Sequence, residues 1–95
     1  MRRSVQIPQG RGVRLRDGEQ PLSAQPVFSA AEIGSALRLR RRELGFTQET
    51  AAELCGHSPR VIGEIERGRD TVGIGVILDY AAILNVDLTL SVRGR

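Results

Sequence analysis

Lysine is absent from this 95-residue chain, so all 14 of its basic residues are arginines. Arginine offers a planar fork of donors that matches phosphate, where lysine offers a point charge. The same bias also arises from a GC-rich genome. Only one cysteine is present, Cys55, which excludes an internal disulfide and agrees with a reducing compartment. No apolar run approaches the length needed to cross a bilayer. No charged-then-apolar leader opens the chain, so a cytoplasmic location without a membrane partner is the expectation. The single histidine, His57, stands two positions after Cys55. Two ligands are too few for zinc, so no metal is expected and burial in a turn is the simpler reading. No nucleophile–base pair and no phosphate-cradling glycine loop can be assembled, and neither an enzyme nor a cofactor is expected.

What is present suits one small domain: 40% hydrophobic residues and a formal net charge of +3. That charge is uneven. Residues 1–27 hold five arginines against Asp17 and Glu19, whereas residues 28–95 hold nine basic and nine acidic groups. The later region is therefore no general polyanion sponge, and any polyanion binding must come from local arrangement.

Residues 1–27, broken by Pro8, Gly10, Gly12, Gly18, Pro21 and Pro26, read as a flexible basic arm. Its fragments Val5-Gln6-Ile7 and Val13-Arg14-Leu15-Arg16 alternate apolar and polar residues, which leaves a short strand or hairpin open. The arm's arginines suit either a solvated tail or a phosphate backbone.

Residues 28–86 carry four helical patterns. Ser29-Ala30-Ala31-Glu32 is a capping box, with Phe28 placed to staple onto Ile33. The first helix then runs to Leu44 with Ile33, Ala36, Leu37 and Leu44 inward, and Gly45 supplies a left-handed stop. Arg38, Arg40, Arg41 and Arg42 read as a solvated face. Thr47 caps a second helix, Gln48 to Cys55, with Ala51, Ala52 and Leu54 inward and Gly56 at its end. Ser58 caps a third, with Pro59 at its first position, Val61, Ile62 and Ile65 inward, and Gly68 closing it. A fourth, from about Gly73 to Leu84, repeats Ile74, Ile77, Leu78, Ala81 and Leu84 at helical spacing, with Asn85 suited to a left-handed end.

The period then changes. In residues 87–95, Leu88, Leu90 and Val92 alternate with polar residues, the mark of a half-buried strand. No partner strand is evident within the domain, so the simplest partner is the same strand of a second copy, giving a homodimer. Pairing with the N-terminal fragments, or fraying, are the alternatives.

Two short helices across a tight turn, flanked by two more, form a helix-turn-helix pattern that seats its second helix in the DNA major groove. Outward positions on that third helix of the chain are Ser58, Pro59, Arg60, Gly63, Glu64 and Arg67. Arg60 suits guanine O6 and N7. Glu64 suits cytosine N4, or simply pairs with Arg60 one turn away. Gln48 opens its helix where a phosphate would dock, and Arg67 and Arg69 flank the third helix's exit as backbone clamps. Gly73 and Gly75 weaken the start of the fourth helix, to admit DNA or to relieve crowding.

The pieces Arg41…Gly45-Phe46-Thr47-Gln48 and Ser58-Pro59-Arg60-Val61-Ile62-Gly63-Glu64-Ile65-Glu66-Arg67-Gly68 resemble the helix-turn-helix domain of the Xre and lambdoid phage repressor family. With Thr71-Val72, the fourth helix and the segment Leu88–Val92, the likeness extends to HipB-type antitoxins over about 65 residues. The resemblance implies an all-α, four-helix lambda-repressor-like domain with a C-terminal β-strand pairing across a homodimer. It implies operator DNA as ligand, repression of the protein's own operon, and a HipA-like serine/threonine kinase toxin as partner. Gln48 would touch phosphate; Ser58, Pro59, Arg60 and Glu64 would touch bases or phosphates. Arg41 and Glu66 would form a structural ion pair. Pro59, Gly63 and Glu64 depart from the family's usual glutamine, small hydroxyl, and basic or amide residue, so base reading rests on Arg60. A stand-alone phage-type regulator, or an interaction protein with a weak DNA face, are the competing expectations.

Overall fold

The computed structural model describes residue 18 and residues 20–94, and among them all regular structure is helical. The four helices are α1 (Ala30–Glu43), α2 (Gln48–Cys55), α3 (Pro59–Glu66) and α4 (Ile74–Ile83). The alternating fragments at residues 5–7 and 13–16 lie outside the described residues.

Local chemistry sets the helix ends. The hydroxyls of Ser29, Thr47 and Ser58 accept from the backbone N–H groups of Glu32, Thr50 and Val61, each three residues on. At α1 the Glu32 carboxylate takes the Phe28 N–H, one residue ahead of the cap. Phe28 itself is 77% exposed, so no staple onto Ile33 forms. Gly45, Gly56, Gly68 and Asn85 hold positive φ values of 75°, 79°, 81° and 61° just past the four helices. After α3, the Arg69 N–H reaches the Glu64 carbonyl at 3.0 Å and the Gly68 N–H the Ile65 carbonyl at 3.0 Å.

The core gathers Leu37, Phe46, Ala51, Ala52, Ile62, Ile65, Ile77, Tyr80, Ala81, Ile83 and Leu84. Helix α1 packs on α3, and α2 packs on both α3 and α4. Gly34 is what brings α1 and α3 together. A Cβ there would stand 2.1 Å from the Ile65 carbonyl oxygen, so the two backbones touch.

Three apolar expectations are corrected. Leu54, Ile74 and Leu78 are exposed rather than inward. On α4 the buried residues are Ile77, Tyr80, Ala81 and Ile83, continued by Leu84 just past its end, so the covered side includes an aromatic residue. The four arginines of α1 also divide. Arg40 donates through Nε to the Leu84 carbonyl at 2.9 Å and through Nη1 to Glu43 at 2.9 Å, tying α1 to the end of α4. Glu43 in turn accepts the Leu22 N–H, so part of the segment before α1 lies against it.

Residues 86–92 form no strand in the single chain. Leu88 and Val92 are exposed and Leu90 is 102% exposed, with no neighbouring strand among the described residues to share backbone hydrogen bonds. The alternation expected to make a β-strand at Leu88, Leu90 and Val92 thus forms no ladder and no regular structure.

Candidate nucleic-acid interface

The turn between α2 and α3 fixes the angle at which α3 is offered to solvent. Gly56 reverses the chain, and both its N–H and that of His57 return to the Ala52 carbonyl, at 2.9 and 3.0 Å. His57 is not buried in this turn, as its sequence position suggested. It is half-exposed, and its Nε2 lies 3.0 Å from Asp79 Oδ2, joining the turn to α4. Cys55 turns elsewhere, its Sγ 3.7 Å from the Ala52 carbonyl, and burial raises its thiol pKa. Among the described residues no group of three or more His, Cys, Asp or Glu side chains is placed to hold a metal.

Ser58, Pro59 and Arg60 are exposed at the start of α3. The Arg60 side chain is 84% exposed, with Nε 3.6 Å from Glu64 Oε2 one turn along. A contact this long and wet adds little to stability. It does hold the guanidinium beside the helix with its donor fork open. Glu64 is half-buried. Gly63 departs from expectation: it is buried, beneath the guanidinium of Arg67. Arg67 and Arg69 are exposed after α3.

Behind this face lies a buried polar cluster that draws one residue from each helix. Arg41 of α1 grips the Glu66 carboxylate of α3 with Nε at 2.7 Å and Nη2 at 3.0 Å, and its Nη1 donates to the Phe46 carbonyl at 2.8 Å. Gln48 of α2 donates through Nε2 to Glu66 Oε1 at 3.1 Å. Tyr80 of α4 donates its hydroxyl to Glu66 Oε2. Glu66 is only 9% exposed, and among the described residues no buried side-chain polar atom lacks a partner. Burial alone would raise the Glu66 pKa, but the hydrogen bonds from Arg41, Tyr80 and Gln48 outweigh it and hold the carboxyl below its ordinary value. The Tyr80 phenol is pushed up, by burial first and by Glu66 second.

The cluster revises the reading of Gln48. One of its amide N–H groups points inward to Glu66, which leaves only the remainder of the amide for a phosphate. Tyr80 was missed from sequence. A lone tyrosine on an apolar helix reads as core, and its carboxylate partner lies 14 residues away.

This geometry has close relatives. A family model described as helix-turn-helix matches residues 37–90. The uncharacterized HTH-type transcriptional regulator YazB of Bacillus subtilis is 42% identical over 57 residues, covering 59% of this chain and 83% of that protein. An uncharacterized HTH-type transcriptional regulator of Sinorhizobium medicae is 37% identical over 57 residues, which span 41% of its length. Among solved structures, a chain of a HipB–O4 20mer complex superposes with a TM-score of 0.69 at 23% identity, over 74% of this chain and 99% of that one. The restriction-modification controller protein C.AhdI of Aeromonas hydrophila superposes with a TM-score of 0.56 at 34% identity, over 61% of this chain and 84% of its own. With the family's model spanning more than half of its residues, this protein belongs to the helix-turn-helix family, as a transcriptional regulator of the Xre type.

Proposed function

We propose that the protein is a sequence-specific DNA-binding repressor that acts as a homodimer and as the HipB-like antitoxin of a toxin–antitoxin operon. Its protein partner in that reading is a HipA-like serine/threonine kinase. The observation that carries the DNA-binding part is the pairing of an open Arg60 guanidinium at the start of α3 with a buried cluster that fixes α3 against the other three helices. A helix that reads bases must be held rigidly, and a fully satisfied buried network does that. Arg60 reads guanine; Ser58, Pro59 and Glu64 line the same groove; Gln48, Arg67 and Arg69 hold phosphates. Residues 1–27 serve as the arm, 28–86 as the DNA-binding domain and 87–95 as the dimer contact, where Leu88, Leu90 and Val92 pair with the same segment of a second chain. The antitoxin part is supported by the fold likeness to HipB, including a chain of a HipA–HipB–O2–O3 complex at a TM-score of 0.69.

A stand-alone regulator without a toxin is the second reading, favoured by the higher identity to C.AhdI than to HipB, 34% against 23%. One experiment separates them: affinity purification of the full chain from native cells, with co-purifying protein and DNA both identified. A kinase together with the protein's own promoter supports the antitoxin reading. The promoter alone supports the second. Recovery of no DNA in preference to bulk genomic fragments refutes both.

A further inference from the structure

The middle of α3 holds a feature that the simple picture of one reading arginine leaves unused. Gly63 has no side chain, yet it is buried, and the three heavy atoms nearest to where its Cβ would stand all belong to one guanidinium. They are Arg67 Nη1 at 3.1 Å, Cζ at 3.8 Å and Nη2 at 3.8 Å. Arg67 therefore does not reach away from the helix's exit toward a phosphate. It lies back along α3 over the preceding turn, the direction in which helical side chains naturally lean.

At about 100° per residue, Gly63 sits about 60° around the axis from Glu66 on one side and about 60° from Arg60 on the other. The notch left by the missing methyl thus lies between the buried cluster and the exposed reading face. It seats a second guanidinium over the position one turn along α3 from Arg60. The two are not equivalent: Arg60 has Glu64 beside it at 3.6 Å, whereas the Arg67 guanidinium makes no ion pair or hydrogen bond among the described residues. Burying the face of Gly63 under an uncommitted donor fork leaves all five of its N–H donors open to a ligand.

We infer that Gly63 and Arg67 act as a unit that determines specificity, with the glycine notch seating the Arg67 guanidinium as a second reader of a guanine edge. The inference rests on the DNA-binding reading above and replaces the phosphate role for Arg67. A guanidinium on a groove-seated helix face meets O6 and N7 of guanine bidentately, and that contact discriminates among bases; a phosphate clamp does not.

The test starts from a duplex library randomised over one site, from which the full-length protein selects its preferred sequence. Wild type, Gly63→Ala, Arg67→Ala and the double variant are then compared on the selected duplex and on its single-base-pair changes, each at two salt concentrations. Gly63→Ala displaces only the far end of a flexible side chain, in a helix that favours alanine, so its melting temperature stays at or above that of wild type. Arg67→Ala loses on the order of tenfold at one guanine position, and Gly63→Ala loses discrimination at that same position. The double variant is no worse than Arg67→Ala. If Gly63→Ala reads every position as wild type does, the notch has no role and the inference is overturned. If Arg67→Ala weakens all sequences equally and lowers the salt slope, Arg67 holds a phosphate and the inference is again overturned. A wild-type protein that selects no sequence at all overturns the DNA-reading proposal itself, a result distinct from the other two.

Discussion

Tyr80 and Glu66 meet in the interior, the phenol of α4 donating to the carboxylate of α3 while Arg41 holds the same carboxylate from the opposite element. The tyrosine thereby links α4 to the ion pair that already joins α1 and α3. Replacing it with phenylalanine keeps the ring and removes one hydrogen bond to a charged group, a loss of about 1.5–3 kcal/mol. The melting temperature of Tyr80→Phe should fall by about 4–8 °C per kcal/mol, as expected for a domain of this size. A melting curve that overlays wild type would remove the hydroxyl from the account.

Glu66→Ala removes the centre of the cluster and leaves the Arg41 guanidinium half-buried without its carboxylate, which costs about 3–5 kcal/mol. The pH dependence follows from the same contacts. The folded-state pKa of Glu66 lies below its ordinary value of 4.5, so its stabilising effect is complete above that pH and is lost as pH falls through the lower folded-state value. Acid unfolding of wild type should therefore be steeper below about pH 4.5 than that of Glu66→Gln. Parallel acid transitions in urea titrations would argue against this assignment.

Two glycines of the helices should respond to alanine with opposite signs. At Gly34 the new methyl meets the Ile65 carbonyl oxygen at 2.1 Å, and backbone on both sides must yield. Forcing α1 off α3 costs about 1–3 kcal/mol despite the better helix propensity. At Gly75 nothing lies within 4 Å, so alanine gains about 0.5–1 kcal/mol. Chemical denaturation of the two variants checks both signs in one comparison.

Arg60→Ala should leave the melting temperature unchanged, because its contact with Glu64 is exposed and long. Affinity for the selected duplex should nevertheless drop by about 1–3 kcal/mol, the discrimination of one bidentate base contact. Equal affinity of variant and wild type in a gel-shift titration would eliminate Arg60 as a base reader.

Removal of residues 88–95 deletes Leu88, Leu90 and Val92, which are 38%, 102% and 72% exposed in the single chain. Light scattering should then report a monomer where the full chain gives a dimer. The same mass for both would place any dimer contact elsewhere, with the exposed Ile74 and Leu78 of α4 the next surface to test.

The sequence by itself determined where the helices begin and end. Ser29, Thr47 and Ser58 act on N–H groups three residues away, while Gly45, Gly56, Gly68 and Asn85 act through their own φ. Such effects are local and survive any packing arrangement. The outward placement of Ser58, Pro59 and Arg60 was legible for the same reason, since a helix start exposes its first turn when the core lies further along. Tertiary structure alone decided which apolar stripe of α4 was covered, that Leu54 would face water, and that Arg40 would cap Leu84 rather than hydrate. It also decided that Gln48 and Tyr80 would join Arg41 on the Glu66 carboxylate, and that Gly63 would lie beneath Arg67. These depend on the angle and separation of helices distant in the chain, which no periodicity encodes. The tail at residues 86–92 marks the boundary between the two: its alternation is written in the residues, but a β-ladder needs a second backbone, and the folded chain offers none among the described residues.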